Sequence, residues 1–429
     1  MKSLTLGAIA PTIDDGGSFD LPEMIPVKQR FTTDRVDDVE AALRDGIAGL
    51  GDLDLHGKKI AITAGSRGIK DIFAVLRTTV EALKARGAKP FLIPAMGSHG
   101  GATADGQLSV LKKIGITEDA VGAPIHASMD VVELGVTAHG LTVYCDKLAY
   151  EADGIVVCNR IKVHPVFKAD YESGVAKMMV IGLGKHKGAV AAHQLGFDRF
   201  HEIIPEAAAL TVAKAPILFG IGLVDNAFGK LASVSVMRPE EIVSREPELL
   251  RYAKEITGRL LMSAIDVLIV DFIGKDISGG GMDANVTGRS ALGLPGFVAP
   301  PIQRIIIRDL TPATAGSAIG IGLADFTTRR CAEKIDLAVT YTNAMTALAL
   351  QSPKIPLIAE TDFDALGLAL RACPGIDPAH ARIVQIKNTK DLNEIWMSTA
   401  YKDEIDAHPD LDAMGPPRAF AFDADGTQI

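Results

Sequence analysis

Between Cys158 and His193 the chain reads CNRIKVHPVFKADYESGVAKMMVIGLGKHKGAVAAH. This stretch gathers His164, His186 and His193, several lysines including Lys177, and a glycine-rich run from Gly182 to Gly188. Such a set offers proton carriers, a nucleophilic amine and metal-capable nitrogens. His164 is stiffened by the following Pro165 and is a candidate acid/base; a capping or packing histidine is the plainer reading. Lys177 stands among Val175, Ala176, Met178, Met179, Val180 and Ile181. Desolvation there would lower its pKa and favour a nucleophile, whereas a snorkelling lysine with a buried stem is the alternative. His193 ends the alanine-rich AVAAH and is either a soft-metal ligand or an ordinary helix residue. Gly182-x-Gly184-x-x-x-Gly188, made basic by Lys185, His186 and Lys187, is a phosphate-loop candidate. Its spacing is one residue off the dinucleotide fingerprint, and the acidic partner expected about 20 residues on is not evident.

Three other loops carry chemistry. In Ala64-Gly-Ser-Arg-Gly68, the Arg67 guanidinium beside backbone N–H groups at a helix start suits a carboxylate or phosphate, and Ser66 can donate to the same anion. In Gly97-Ser-His-Gly-Gly101, flanking glycines leave the His99 imidazole reachable as a base or metal ligand. Two imidazoles on one rim would serve the two faces of one carbon, as a racemase requires. In the second half, Lys275-Asp276-Ile277-Ser278-Gly279-Gly280-Gly281-Met282-Asp283 implies close backbone approach to a ligand or a flexible loop. An interdomain cleft would let Lys275 face the first rim.

The elements that position these loops follow from periodicity. Lys58–Thr63, Pro90–Met96 and Gly154–Cys158 read as short apolar strands, each running into one of the three loops of the first half. Asp71–Arg86, with Gly87 as its C-cap, and Ala104–Ile114 read as intervening helices. Strand, glycine-rich turn, helix, strand is α/β architecture with a mostly parallel sheet, whose ligands bind beyond the carboxyl ends of the strands. Further on, Phe200–Lys214 reads as a helix. Pro239–Met262 reads as another, with Pro247 as a candidate break and an interdomain connector in Glu246–Arg259. Strands are expected at Ala264–Gly274, Arg304–Leu310, Ile335–Thr340, Lys354–Glu360 and Arg382–Asn388, and helices at Asp362–Cys373 and Leu392–Tyr401. The expectation is therefore two α/β domains with mostly parallel sheets and an active-site cleft between them. They comprise residues 1–255 (cofactor binding and catalysis) and 260–405, with a loop-rich tail at 406–429.

The bulk numbers agree. A chain of 429 residues exceeds one compact core. A net charge of −9 argues against a nucleic-acid binder. The four cysteines are scattered without a C-x-x-C, which fits reduced thiols in a cytoplasmic protein. The apolar runs are broken by Lys214, Pro216 and Asp266, so no membrane span is expected.

In order and spacing, GSRGI, GSHGG, KVH…SGVAK…H and KDISGGGMD resemble the nickel-pincer nucleotide-dependent lactate racemase family, over most of the chain and most closely from Ala61 to His193. The resemblance implies a pyridinium mononucleotide that holds nickel, attached through a lysine at the position of Lys177, with His193 completing the nickel coordination. It further implies His99 and His164 as paired acid/base residues, and Arg67 with Lys275 as a substrate carboxylate clamp. Ser66, Gly174, Gly182 and Gly184 would lie around the cofactor. In the implied reaction the C2 hydride of a 2-hydroxy acid passes to the cofactor and returns to the opposite face. Ala64-Gly-Ser-Arg-Gly68 departs from the Asp-His-Thr-Arg-Pro-like run of lactate racemases, so a larger or more polar 2-hydroxy acid, such as a sugar acid, is expected at least as much as lactate. Expected partners are that substrate and the cofactor-making enzymes; oligomeric state stays open, a homo-oligomer included. The competing readings are an NAD(P)-dependent oxidoreductase using Gly182–Gly188 and a non-catalytic anion-binding sensor.

Overall fold

Short apolar runs bounded by glycine turns become strands here, and the amphipathic segments between them become helices. The computed structural model describes residues 6–7, 9, 20–66 and 70–429. Its strands in chain order are β1 (Met24–Gln29), β2 (Lys59–Ala64), β3 (Lys89–Pro94), β4 (Val131–Val136), β5 (Thr142–Asp146), β6 (Gly154–Arg160), β7 (Ile217–Asp225) and β8 (Leu231–Met237). They continue with β9 (Ile265–Ile273), β10 (Ile302–Leu310), β11 (Phe326–Thr328), β12 (Leu357–Ala359), β13 (Ile383–Ile386), β14 (Glu394–Ser398) and β15 (Leu411–Ala413).

The chain divides into two units. One is Thr32–Thr257; the other combines the residues up to Phe31 with Gly258–Ile429. In the first, a five-stranded sheet runs β3-β2-β6-β7-β8. β3, β2, β6 and β7 are parallel and β8 is antiparallel. From β2 the chain moves outward through the helix Ile72–Ala85 to β3, then returns to lay β6 on the other side of β2. The strand order reverses between β2 and β6, and in open α/β sheets ligands bind just beyond the carboxyl ends at such a reversal. The helix Ile72–Ala85 buries Val75, Leu76, Val80 and Leu83 in the same core as Ile60, Ile62 and Val156. Each such fully buried aliphatic side chain contributes about 2 kcal/mol. β4 and β5 form a separate hairpin.

The other unit is an eight-stranded sheet, β12-β11-β10-β9-β13-β14-β1-β15. β12 to β13 run parallel, while β14, β1 and β15 are antiparallel additions. The α/β class with mostly parallel sheets is as expected; the division of the chain differs. β1 pairs with β14 and β15, so residues before Thr32 do not join a 1–255 domain. The 406–429 segment is no separate tail: it supplies β15, and Gln428 donates its N–H to Asp362 while its carbonyl accepts from Arg308.

Three elements also depart from expectation. The helix Pro239–Ile256 belongs to the first unit and runs unbroken through Pro247. A proline removes the N–H that would bond the carbonyl four residues back; here that carbonyl is Val243 O, and the Tyr171 hydroxyl donates to it at 2.6 Å. Ile335–Thr340 is not a strand but opens the helix Leu337–Ala347, capped by the Asp336 side chain accepting from Val339 N–H. Leu392–Tyr401 is not a helix: it contains β14, in which Ile395 and Met397 are buried on alternate positions. Among the described residues, no helix is long and apolar enough to cross a membrane.

Candidate active site

Beyond the carboxyl ends of β2, β3 and β6, within the Thr32–Thr257 unit, lies a cavity of about 320 Å³. β2 delivers Gly65 and Ser66 to it, β3 delivers Gly97, Ser98 and His99, and β6 delivers Asn159, Arg160, Lys162 and His164. The segment after β6 closes the remaining side with Lys177, Gly182 and His193. Thus Ser66, His99, His164, Lys177, Gly182 and His193 are brought to one cavity. Gly174 and Gly184 are buried packing positions near it and not among its lining. Arg67 lies outside the described residues. Lys275 belongs to the other unit, where its Nζ donates to Asn343 Oδ1 at 2.6 Å.

The His99 loop is shaped by its glycines. Gly100 has φ +66°, and a Cβ there would stand 2.4 Å from the Gly106 carbonyl carbon, so only glycine fits. Gln107, buried on the helix Ala104–Lys113, donates from Nε2 to Gly97 O at 2.9 Å and to His99 O at 3.4 Å. Gln107 Oε1 in turn accepts from Lys185 Nζ at 2.8 Å. Lys185 is completely buried, also donates to Pro94 O at 2.8 Å, and stands 3.3 Å from Asp146 Oδ2. Burial pushes the Lys185 ammonium down and the Asp146 carboxyl up, and the charge of each opposes the shift of the other. Lys185 is therefore a tie between β3, β5 and the His99 loop, not a phosphate ligand.

The His164 loop is a closed hairpin. Lys162 and Ser173 exchange backbone hydrogen bonds at 2.9 and 3.2 Å. Inside it, the buried Glu172 accepts from His164 N–H at 2.6 Å and from Lys168 Nζ at 3.0 Å, with Lys254 Nζ at 2.9 Å. The Val166 N–H donates to His164 Nδ1 at 3.2 Å, so in this arrangement the neutral ring carries its proton on Nε2. In this tautomer His164 offers an N–H donor, the form suited to a ligand oxygen.

Lys177 and His193 are coupled. His193 packs against Phe197 and Phe200, with ring centroids 4.9 and 5.8 Å away. Burial, reinforced by the nearby Lys177 ammonium, pushes the His193 imidazole down to about 4. A neutral imidazole is the metal-ligating form. Lys177 Nζ lies 5.5 Å from the Phe167 ring centre. Between the two residues the chain makes a π-helical turn, Met178–Gly182, which leads into the helix Lys185–Gln194; such single turns recur at functional sites. Cys158 also lines the cavity, but burial pushes its thiol up to about 12 and leaves it unreactive. Among the described residues, no cluster of three or more His, Cys, Asp or Glu side chains could hold a bare metal ion.

Gly182–Gly188 follows the helical turn Val175–Lys177, and most of it is itself helical. The strand–loop–helix setting that a dinucleotide loop needs is absent there. Sequence reasoning missed Glu172, Glu246, Tyr171 and Gln107. Tyr171 and Glu246 act across 72 and 70 residues of sequence, whereas Glu172 and Gln107 hold loops 8 to 10 residues away; only Pro247, which orphans Val243 O, left a signal for one of them.

Residues 29–202 match the family model described as the lactate racemase N-terminal domain. In structure the chain is similar to the lactate racemase apoprotein of Thermoanaerobacterium thermosaccharolyticum, at 15% identity and TM-score 0.53 over 86% of this chain and 99% of that one. A structural-genomics target from Thermotoga maritima matches at 14% identity and TM-score 0.52, over 84% of this chain and 99% of that one. At these identities the structural likeness establishes the fold. No curated protein matches the sequence.

Proposed function

We propose that this chain, whose residues 29–202 match the lactate racemase N-terminal domain, is a racemase or epimerase of a 2-hydroxy acid that works with a nickel-pincer nucleotide. The observation that carries this reading is the meeting of Lys177, His193, His99 and His164 on one cavity. The donor set fits the cofactor. His193 is held neutral and supplies one imidazole nitrogen, and Lys177 is close enough to it to depress its pKa.

Lys177 would attach the cofactor and His193 would ligate its nickel. When bound, the cofactor supplies a hydride acceptor at carbon. The chain's own residues do the rest. His99 and His164 would serve as the paired acid and base at the substrate hydroxyl: in the tautomer described His164 presents Nε2–H as a donor to that oxygen, and it would take a proton there only after its ring proton moves to Nδ1 and the Val166 N–H bond is given up. Arg67 would bind the carboxylate; Ser66 and Lys162, which line the cavity, would add donors. Phe167, Phe197 and Phe200 make the His193 side of the site apolar. That shielding keeps water from a planar keto acid. The polar wall of Ser98, Asn159 and Ser173 favours a hydroxylated substrate, such as a sugar acid, over lactate.

The test is co-expression with the cofactor-making enzymes, followed by nickel analysis and mass mapping across Lys177. Nickel near one per chain, a cofactor-sized adduct on Lys177 and racemisation of a chiral 2-hydroxy acid are expected. His99→Ala and His164→Ala should each lower turnover by about 10²–10⁴ while loading survives. An unmodified Lys177 and no nickel, beside a family member that loads in parallel, would refute the assignment and favour the sensor reading.

A further inference from the structure

Glu246 sits on the helix Pro239–Ile256 and is fully buried. Its Oε2 accepts the Ala176 N–H at 2.8 Å, and the neighbouring Val175 N–H also favours the charged carboxylate. These are the two amides just before Lys177. They head the helical turn Val175–Lys177, whose N-cap, Gly174, has no side chain to cap it. Helix starts leave such N–H groups unpaired unless an oxygen reaches them, usually from the N-cap residue itself. Here the oxygen comes from a helix far along the chain. Gly174 makes room for it: its backbone is extended, and a Cβ there would stand 2.0 Å from Glu246 Oε1.

The arrangement carries a cost that packing alone does not explain. Glu246 Oε1 is buried without a hydrogen-bond partner. Burial accordingly raises the carboxyl to about 7, against the pull of the two amides. A leucine would fill the space without that cost but would leave the amides before Lys177 unbonded. The same helix holds the preceding loop at two more points, Tyr171 to Val243 O and Lys254 to Ala169 O at 2.9 Å. It works as a splint for the segment from His164 to Lys177.

We infer that Glu246 is the positioning residue for Lys177: by capping the Val175–Lys177 turn it fixes the register in which Lys177 enters the cavity. The inference rests on the proposed role of Lys177 as the attachment point. Glu246 acts through the backbone and not on the substrate, so its loss should be repaired by any side chain of similar length that keeps an acceptor oxygen.

The experiment compares wild-type protein with Glu246→Ala, Glu246→Gln and Glu246→Asp, all as the full chain, by two readouts. Hydrogen exchange of peptides covering 172–179 is measured without cofactor. The modified fraction at Lys177 is measured by mass after co-expression with the cofactor-making enzymes. Glu246→Ala should speed exchange of the Val175 and Ala176 amides at least tenfold and reduce the modified fraction at least fivefold. Glu246→Gln should bring both within threefold of wild type. If Glu246→Ala does not fold, Glu246→Asp decides, because a side chain one methylene shorter withdraws the oxygen and should lower modification in a chain that still unfolds in one cooperative transition. Wild-type exchange and modification in Glu246→Ala, or in Glu246→Asp where that variant decides, would overturn the inference. So would a folded Glu246→Gln that fails as badly as Glu246→Ala. An unmodified wild-type Lys177 beside a family member that loads overturns the functional reading instead, and the exchange readout then still decides the cap by itself.

Discussion

Replacing Lys185 by Met tests whether the buried ammonium ties the site together. Lys185 adopts φ +55°, and Met keeps that backbone strain, so the difference isolates the charge and its hydrogen bonds. The substitution leaves Pro94 O and Gln107 Oε1 without their donor and Asp146 buried without its cation. An unmet buried acceptor costs about 1–3 kcal/mol, and removing one member of a buried ion pair costs about 3–5 kcal/mol. Protonation of Asp146, already pushed toward its neutral form by burial, limits the loss. A destabilisation of about 3–5 kcal/mol is therefore expected for the Thr32–Thr257 unit. Urea unfolding followed by circular dichroism would measure it. The single tryptophan, Trp396, lies on β14 in the other unit and gives an internal control by fluorescence. Adding Asp146→Asn should recover at least half of the loss, because the partner charge is then gone too. Turnover should also fall, since Gln107 carries the His99 loop. A loss below about 1 kcal/mol would refute the view that breaking this buried pair strands its partners.

Two further outcomes follow from the same framework. Glu246 keeps its proton to about pH 7 in the folded chain against an ordinary 4.5, so the stability it lends is full below 4.5 and is lost as pH rises through 7. The change approaches about 3 kcal/mol; Glu246→Gln should remove it, and equal stability differences between pH 4.5 and 8 in both proteins would contradict the buried, unpartnered carboxyl. Tyr171→Phe strands the Val243 carbonyl that Pro247 cannot satisfy, and should cost about 1–3 kcal/mol in thermal unfolding without altering the cavity side chains.

The site was legible where chemistry sits at strand ends. Short apolar runs followed by GSR, GSHGG and NRIKVH announce three parallel strands, and the sheet reversal between β2 and β6 puts their loops on one rim. An apolar setting and a helical stretch mark Lys177 and His193 as candidates, and both line the cavity. What was hidden depended on distant partners. Lys185 looked like a surface base in a glycine-rich loop, but Pro94, Gln107 and Asp146 draw it into the interior. Glu246 looked like part of a charged connector, because nothing nearby in sequence marks its contact with Ala176. The helix Leu337–Ala347 was masked by β-branched residues, although Asp336 capping Val339 is a local helix signal. In β14 the alternation of Ile395 and Met397 around Trp396 was the available sign of a strand.

The pairing of β1 sets an order of events during synthesis. Met24 lies opposite Ser398, and Gln29 opposite Leu411, so β1 is made long before the strands that flank it exist. The Thr32–Thr257 unit has its own sheet and core and can close in the meantime. Pairing over such separations is slow and leaves a strand open to wrong partners. β1 is equipped for that wait: Pro26 removes one ladder donor, Lys28 adds a charge, and the strand is six residues long. Its sequence, MIPVKQ, thus carries features that disfavour mispairing as well as completing the finished sheet.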